Sequence, residues 1–329
     1  MKHVSAGVAV RDLAHILGFI VLIAVGTPSA AAAQEWPSKQ AIKLVVPFGA
    51  GSATDLIART VFEQVGKQIG QTVVVENRGG AGTTLGAAMV AKAEPDGYTL
   101  LVNSTSHVVV ASTYTHVPYS VENDFAAIST LADSPFVVAA ATKYKTLNDL
   151  IEAGKKPGAN ILFGSSGSSG QLFMEQFRFA ANFAGTNVPF RGTPEAMTEV
   201  VTGRIDMFPA PAPSAIALTR DGKVNSLAVS SGKRSPLLPT VPTMAEAGLP
   251  NAAYNFWVGA FAPAKTPKAI VERLNREIVA ALAVTGVADK IVTLGGTPMP
   301  MTSSDFTAFV RKEIAVNAAI VKASGFPIK

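Results

Sequence analysis

Residues Ile42 to Leu101 constrain the fold more than any other part of the chain. Three β-branched runs, Ile42–Val46, Thr72–Val75 and Tyr98–Val102, are separated by two stretches of helical periodicity. Strands alternating with helices at this spacing predict a parallel sheet with helices on both faces. The first run leads into Pro47-Phe48-Gly49-Ala50-Gly51-Ser52-Ala53-Thr54-Asp55, which opens directly into a helix. A strand, a small-residue loop and a helix N-terminus together aim backbone N–H groups at one point, which suits an anion. Ser52 and Asp55 supply the helix start, Ile57, Val61, Val65 and Ile69 its apolar stripe, and Gly70 its stop. A second helix spans about Thr84 to Ala93, and Pro95-Asp96-Gly97 turns into the third strand.

The middle of the chain repeats this grammar. Phe136–Ala141 reads as a strand, Leu147–Ala153 as a short helix and Ile161–Phe163 as a strand. A second small-residue loop, Gly164-Ser165-Ser166-Gly167-Ser168-Ser169-Gly170, then precedes a helix carrying Leu172, Phe173, Phe177 and Ala180. A further helix runs from Thr193, with Pro194 in its first turn, to Gly203. Ile205–Phe208 and Ser226–Ser230 read as strands, and Thr243 with Glu246 as the capping box of a short helix ending at Gly248. Helical patterns beginning at Thr266-Pro267, Val287 and Ser304 fill the rest. Two α/β halves follow, with crossings near Ser134–Phe136 and Asn251–Tyr254. The first domain is then 34–134 plus 254–329, the second is 135–253, and the two crossings form a hinge.

The first 33 residues read as a secretory signal, with basic Lys2 and Arg11, the apolar run Ile16–Val25 and a cleavage site at Ala31-Ala32-Ala33. An uncleaved membrane anchor is the alternative, against which the shortness of the apolar run stands. Cysteine is absent, which removes disulfides, thiolate metal sites and a lipid-modified cysteine together. An exported chain of this kind is expected in the bacterial periplasm, as a monomer. Its charged residues, 16% against 48% apolar, argue against disorder. The net charge of +5 is scattered rather than gathered into a stripe, so no nucleic-acid partner is expected.

Enzyme signatures are sparse. Beyond the signal region only His107 and His116 remain, neither in a metal-ligand pattern. The serines of Gly164–Gly170 lack the spacing of a nucleophile elbow, and Gly49-x-Gly51 lacks the third glycine of a dinucleotide loop. A triad joining His107 or His116 to one of those serines stands as a rival reading. Each small-residue loop alone is also explained as a plain strand-to-helix connection. Facing each other across a hinge, they can share a carboxylate among N–H dipoles and the hydroxyls of Ser165, Ser166, Ser168 and Ser169. Asp55 is either a first-turn carboxylate matched to the helix dipole or a ligand contact through water, a hydroxyl or an amino group. Arg191 is either an anion partner or an exposed strand-end arginine. Phe48, Phe190 and Trp257 are either cleft walls or core. Asn103 and Ser104 lie at the carboxyl edge of the sheet, where ligands bind in such folds.

These residues carry a resemblance. Ile42–Phe48 with Gly51 and Asp55, Val75-Glu76-Asn77-Arg78 with Gly80-Ala81-Gly82, and Pro95-Asp96-Gly97-Tyr98-Thr99-Leu100 come first. Val188-Pro189-Phe190-Arg191-Gly192, Gly203-Arg204-Ile205-Asp206, Val241-Pro242-Thr243 with Glu246-Ala247-Gly248, and Ala262-Pro263 with Thr266-Pro267 follow. In this order they resemble the periplasmic solute-binding proteins of tripartite tricarboxylate transporters, the Bug family, along essentially the whole mature chain. The resemblance implies a type II-like periplasmic-binding-protein fold of two parallel-rich domains that closes over a small organic carboxylate. It implies delivery to a large and a small inner-membrane subunit, with no cofactor and no catalysis. A ligand sensor presenting its closed form to a membrane receptor would share the same fold. Carried over, the ligand contacts are Phe48 to Asp55 and Ser165 to Gly170, with Phe190, Arg191, Gly192 and Asp206. Two departures stand out: Gly49-Ala50-Gly51-Ser52 replaces the family's usual proline and paired glycines, and Trp257-Val258-Gly259 replaces Trp-Tyr-Gly.

Overall fold

The computed structural model describes residues 36–329, so the secretory signal expected over 1–33 lies outside the described residues. Strand β1 (Ile42–Val46) is central to the opening unit, with β2 (Val73–Asn77) and β3 (Thr99–Ser104) parallel on either side. Between β1 and β2 runs α1 (Ala53–Ile69), capped as expected: Ser52 Oγ accepts the Asp55 N–H at 3.4 Å, and Gly70 closes the helix at φ 64°. A serine cap of this kind contributes about 1 kcal/mol. Helices α2 (Thr84–Ala91) and α3 (Ser106–Thr113) bracket β3, and β4 (Phe125–Asp133) precedes the first crossing.

The second sheet is built from β5 (Phe136–Ala140), β6 (Ile161–Ser166), β7 (Gly185–Phe190), β8 (Met207–Pro211) and β9 (Asn225–Val229). Helices α4 (Leu147–Lys155), α5 (Gly167–Ala181), α6 (Thr193–Val201) and α7 (Ala212–Arg220) lie between successive strands. The chain then returns through β10 (Trp257–Pro263), α8 (Lys268–Ala283), α9 (Thr285–Thr293), β11 (Thr297–Pro298) and α10 (Ser303–Ala323). Strand order is β11-β4-β10-β3-β1-β2 in one sheet and β7-β6-β8-β5-β9 in the other. The molecule is thus a two-domain α/β periplasmic-binding-protein fold.

Neither sheet is purely parallel. β10 runs antiparallel to β3 and β4, and β5 antiparallel to β8 and β9. Both strands enter straight from a crossing, and only a crossover connection would bring them in parallel. A second difference lies at Gly164–Gly170, expected to be a loop. There β6 continues through Ser166, pairing Ser165 with Pro189 and Ser166 with Phe190, and α5 begins at Gly167. Gly167 has φ +71°, a left-handed conformation open to glycine, and it turns strand into helix within one residue. The Thr243–Glu246 box forms both of its hydrogen bonds, yet the segment is a turn rather than a helix.

The largest apolar cluster passes from Leu44 on β1 through Trp257, Phe261 and Phe306 to Phe173 and Phe177 on α5. Trp257 is core: it is 1% exposed, meets Phe306 edge-on at 5.6 Å and donates Nε1–H to Glu313 Oε2 at 3.0 Å. A smaller cluster around Val200, Phe208 and Ala210 serves the second sheet alone. The two crossings lie side by side. Ser134 N–H donates to Phe256 O and Ser230 N–H to Phe136 O, each at 2.8 Å, and Tyr254 N–H donates to Ser230 O at 2.9 Å.

Candidate functional site

A cavity of about 430 Å³ lies where the carboxyl end of β1 meets those of β6 and β7. A larger one, about 620 Å³, is lined by the surfaces of α5 and α10 and the segment 248–251. Ligands of open α/β sheets bind at the carboxyl ends of strands, so the smaller cavity is the candidate site.

The first loop contributes less main chain to it than its sequence suggests. Gly49 N–H donates to Arg191 O in the other domain at 3.1 Å, Gly51 N–H to Asp55 Oδ2 at 2.9 Å, and Ser52 N–H to Gly49 O at 3.2 Å. These donors are already engaged. Pro47 and Phe48 line the cavity, whereas Gly49, Ala50, Gly51, Ser52, Ala53, Thr54 and Asp55 do not. Asp55 is 1% exposed and accepts from Arg59 Nε at 3.0 Å and Asn77 Nδ2 at 2.9 Å. Burial pushes its carboxyl up, but the bonds from Arg59, Asn77 and Gly51 outweigh that and hold it below the usual carboxylate range. Asn77 also donates to Phe48 O at 3.0 Å, so Asp55 steadies the cavity wall from behind.

Gly80–Thr83 supplies the main-chain wall instead. Its φ angles are +133°, +45°, +64° and +93°, so Ala81 and Thr83 hold a conformation that side chains disfavour. Strain of this kind gathers at binding sites, and the segment is held by the Thr83 N–H, which donates to Gly80 O at 3.0 Å. A Cβ on Gly82 would fall on Ser168 Oγ and Tyr114 OH. Behind this wall Asn103 Nδ2 donates to Thr83 Oγ1 at 3.3 Å, while Asn103 Oδ1 accepts the Ser104 N–H at 2.8 Å. Asn103 and Ser104 are fully buried and back the site without lining it.

From the second domain, Ser165, Gly167, Ser168, Phe190 and Arg191 line the cavity; Ser166, Ser169, Gly170 and Gly192 do not. Ser168 Oγ–H donates to Gly82 O at 3.2 Å, and Ser169 N–H to Ser106 Oγ at 3.1 Å, both across the domain junction. A Cβ on Gly167 would stand 2.6 Å from Ser106 Oγ and 2.9 Å from Phe48 Cε1. Arg191 is exposed, and its N–H donates to Glu195 Oε2 at 3.4 Å. Asp206 is elsewhere: beside Leu162, near the amino end of β6, it accepts from Leu162 N–H at 2.8 Å and Tyr144 OH at 2.9 Å and pairs with Lys143 at 2.7 Å.

Tyr114, Gln171, Glu195 and Lys329 also line the cavity and were not expected. Burial raises the Tyr114 phenol, with a bond to Ser168 opposing. Lys329 N–H donates to Thr113 O at 2.9 Å, and Lys329 O accepts the Thr115 N–H at 2.6 Å. Its Nζ donates to Gln171 Oε1 at 2.7 Å and stands 5.7 Å from the Tyr114 ring centroid. Burial lowers this amine below its ordinary value, with Glu175 opposing.

His107 serves no serine. Both ring nitrogens are buried without a partner among the described residues, and the ring packs on Phe125 at 4.7 Å and Phe261 at 4.4 Å. Burial lowers its pKa to about 3.

Comparison with known proteins identifies the family. The model of the tripartite tricarboxylate transporter family receptor matches residues 57–326. The chain is similar to BugT of Bordetella pertussis, 33% identical over 97% of this chain and 99% of that one. It is similar to an R. palustris protein solved with adipate, at 29% identity and TM-score 0.84 over 88% of this chain and 99% of that one. MatC from Rhodopseudomonas palustris, solved with bound malate, is 30% identical with TM-score 0.82 over 86% and 99%.

Proposed function

The chain belongs to the tripartite tricarboxylate transporter receptor family, and from that premise we propose that it captures a small organic carboxylate between its two domains and delivers it to the family's membrane transporter. Like its family it is a periplasmic solute-binding receptor, not an enzyme. The observation that carries the reading is the cavity itself, ringed by hydrogen bonds that run from one domain to the other. Gly49 to Arg191, Ser168 to Gly82 and Ser169 to Ser106 form only when the halves are together. Relatives solved with adipate and malate support an acid as cargo.

Domains of 34–134 plus 254–329 and of 135–253, after signal cleavage near Ala33, complete the proposal. The passages from β4 to β5 and from β9 to β10, strapped together through Ser134, Ser230 and Tyr254, support a hinge there. Phe48, Ser165, Ser168, Phe190 and Arg191, with the Gly80–Thr83 wall and Tyr114, are the proposed ligand contacts. Closure excludes water, which strengthens every dipole aimed at the bound charge. The ligand favours the closed form by its higher affinity for it.

A thermal-shift screen of mono-, di- and tricarboxylates, nicotinate-like aromatic acids and acidic amino acids tests the reading. At 100-fold excess over Kd a ligand stabilises by about 2.7 kcal/mol, which predicts a rise of roughly 4 °C in Tm for a chain of this length. No rise with any acid would overturn it.

A further inference from the structure

We infer that Lys329 is a second cation, beside Arg191 on the opposite wall, that meets the bound acid's carboxylate, with Gln171 holding it in place; this rests on the carboxylate reading above. The first loop contributes little to meeting that charge, because beyond Phe48 it does not line the cavity and the N–H groups of Gly49, Gly51 and Ser52 already have partners. Lys329 meets it from an unexpected direction. Its main chain is pinned to Thr113 and Thr115 of the first domain, and its Nζ reaches Gln171 on α5. The side chain is therefore positioned before any ligand arrives, which lowers the ordering cost of binding.

Among the described residues the ammonium also lacks a counterion. No carboxylate among them lies within ion-pair distance of it, and nearby Glu175 is held by Arg178 at 2.7 Å. An ammonium has three donors, and Gln171 Oε1 takes one of them. A cation on an exposed residue, held against a neutral amide, gains when an anion enters. The pair also joins the first domain to α5, so an acid bound at Nζ sits at the seam that closure must hold. A neutral amide of the same shape gains less there, which gives Lys329 a share, with Arg191, in separating acids from their amides.

Calorimetry on the wild type, Lys329→Met, Lys329→Arg and Gln171→Leu tests this with the acid giving the largest thermal shift, alongside its amide. Lys329→Met is expected to bind the acid about 10- to 100-fold more weakly and to narrow the preference for acid over amide. Lys329→Arg should recover part of the affinity. Gln171→Leu should retain the preference. Lys329→Gln serves as a second neutral variant should Lys329→Met fold poorly. Neutral variants that bind within twofold of wild type, or that keep the preference undiminished, would overturn the assignment of Lys329 alone. A wild type that binds no acid would overturn the carboxylate reading beneath it.

Discussion

Asp55 shows how one side chain can serve a binding site without touching its ligand. Its carboxylate gathers Gly51 N–H, Asn77 and Arg59, and Asn77 in turn holds the carbonyl of Phe48. Asp55→Ala leaves those donors without their shared acceptor. Because Arg59 is half exposed, the expected loss is moderated by solvent, at about 2 kcal/mol in urea unfolding. Affinity for the acid should fall less than about fivefold, since the wall loosens but no contact is lost. A large loss of affinity with stability intact would instead place Asp55 on the ligand. Sequence left both roles open because a first-turn carboxylate looks the same whichever way it points. Lys329 carried no local signal at all: Gln171 lies 158 residues away, and only tertiary packing brings them together.

Among the elements, those with local signatures were legible. β1 has the bounds its β-branched run suggests, and α1 begins and ends at its cap and its glycine. β4, β7, β10, β11, α3 and α7 were not recognised. Phe125–Asp133 and Trp257–Pro263 are buried along most of their length, so they lack the polar alternation that marks a half-buried strand. The β6–α5 junction misled in the other direction: serines and glycines that read as a loop instead finish a strand and begin a helix. Helix α3 carries an acid sensitivity through His107. Its folded pKa is about 3 against 6.5 for the free side chain, so below pH 6.5 the unfolded state binds the proton more readily. Stability is complete above that pH and falls as pH drops from 6.5 toward 3, by about 2 kcal/mol at pH 5 from this residue. Urea unfolding at pH 8 and pH 5 should show a gap that narrows in His107→Leu. An unchanged gap would mean other groups govern the acid response.

For the whole molecule, the proposed function requires two domains, joined by paired crossings, to draw together over one cavity. The alternation of strands and helices made two α/β halves readable, and the spacing of small-residue segments pointed to the strand ends. The antiparallel entry of β5 and β10 was hidden, because strand direction is set by which neighbour a strand meets rather than by its own residues. The most direct test is an interdomain distance measured on the protein in solution. The chain has no cysteine of its own, so Lys156→Cys and Lys290→Cys, both at exposed positions, accept a pair of spin labels cleanly. Pulsed dipolar spectroscopy with the acid chosen by thermal shift should collapse a broad distance distribution onto the single value of the closed structure. A distribution that stays the same while the acid demonstrably binds would contradict capture by domain closure.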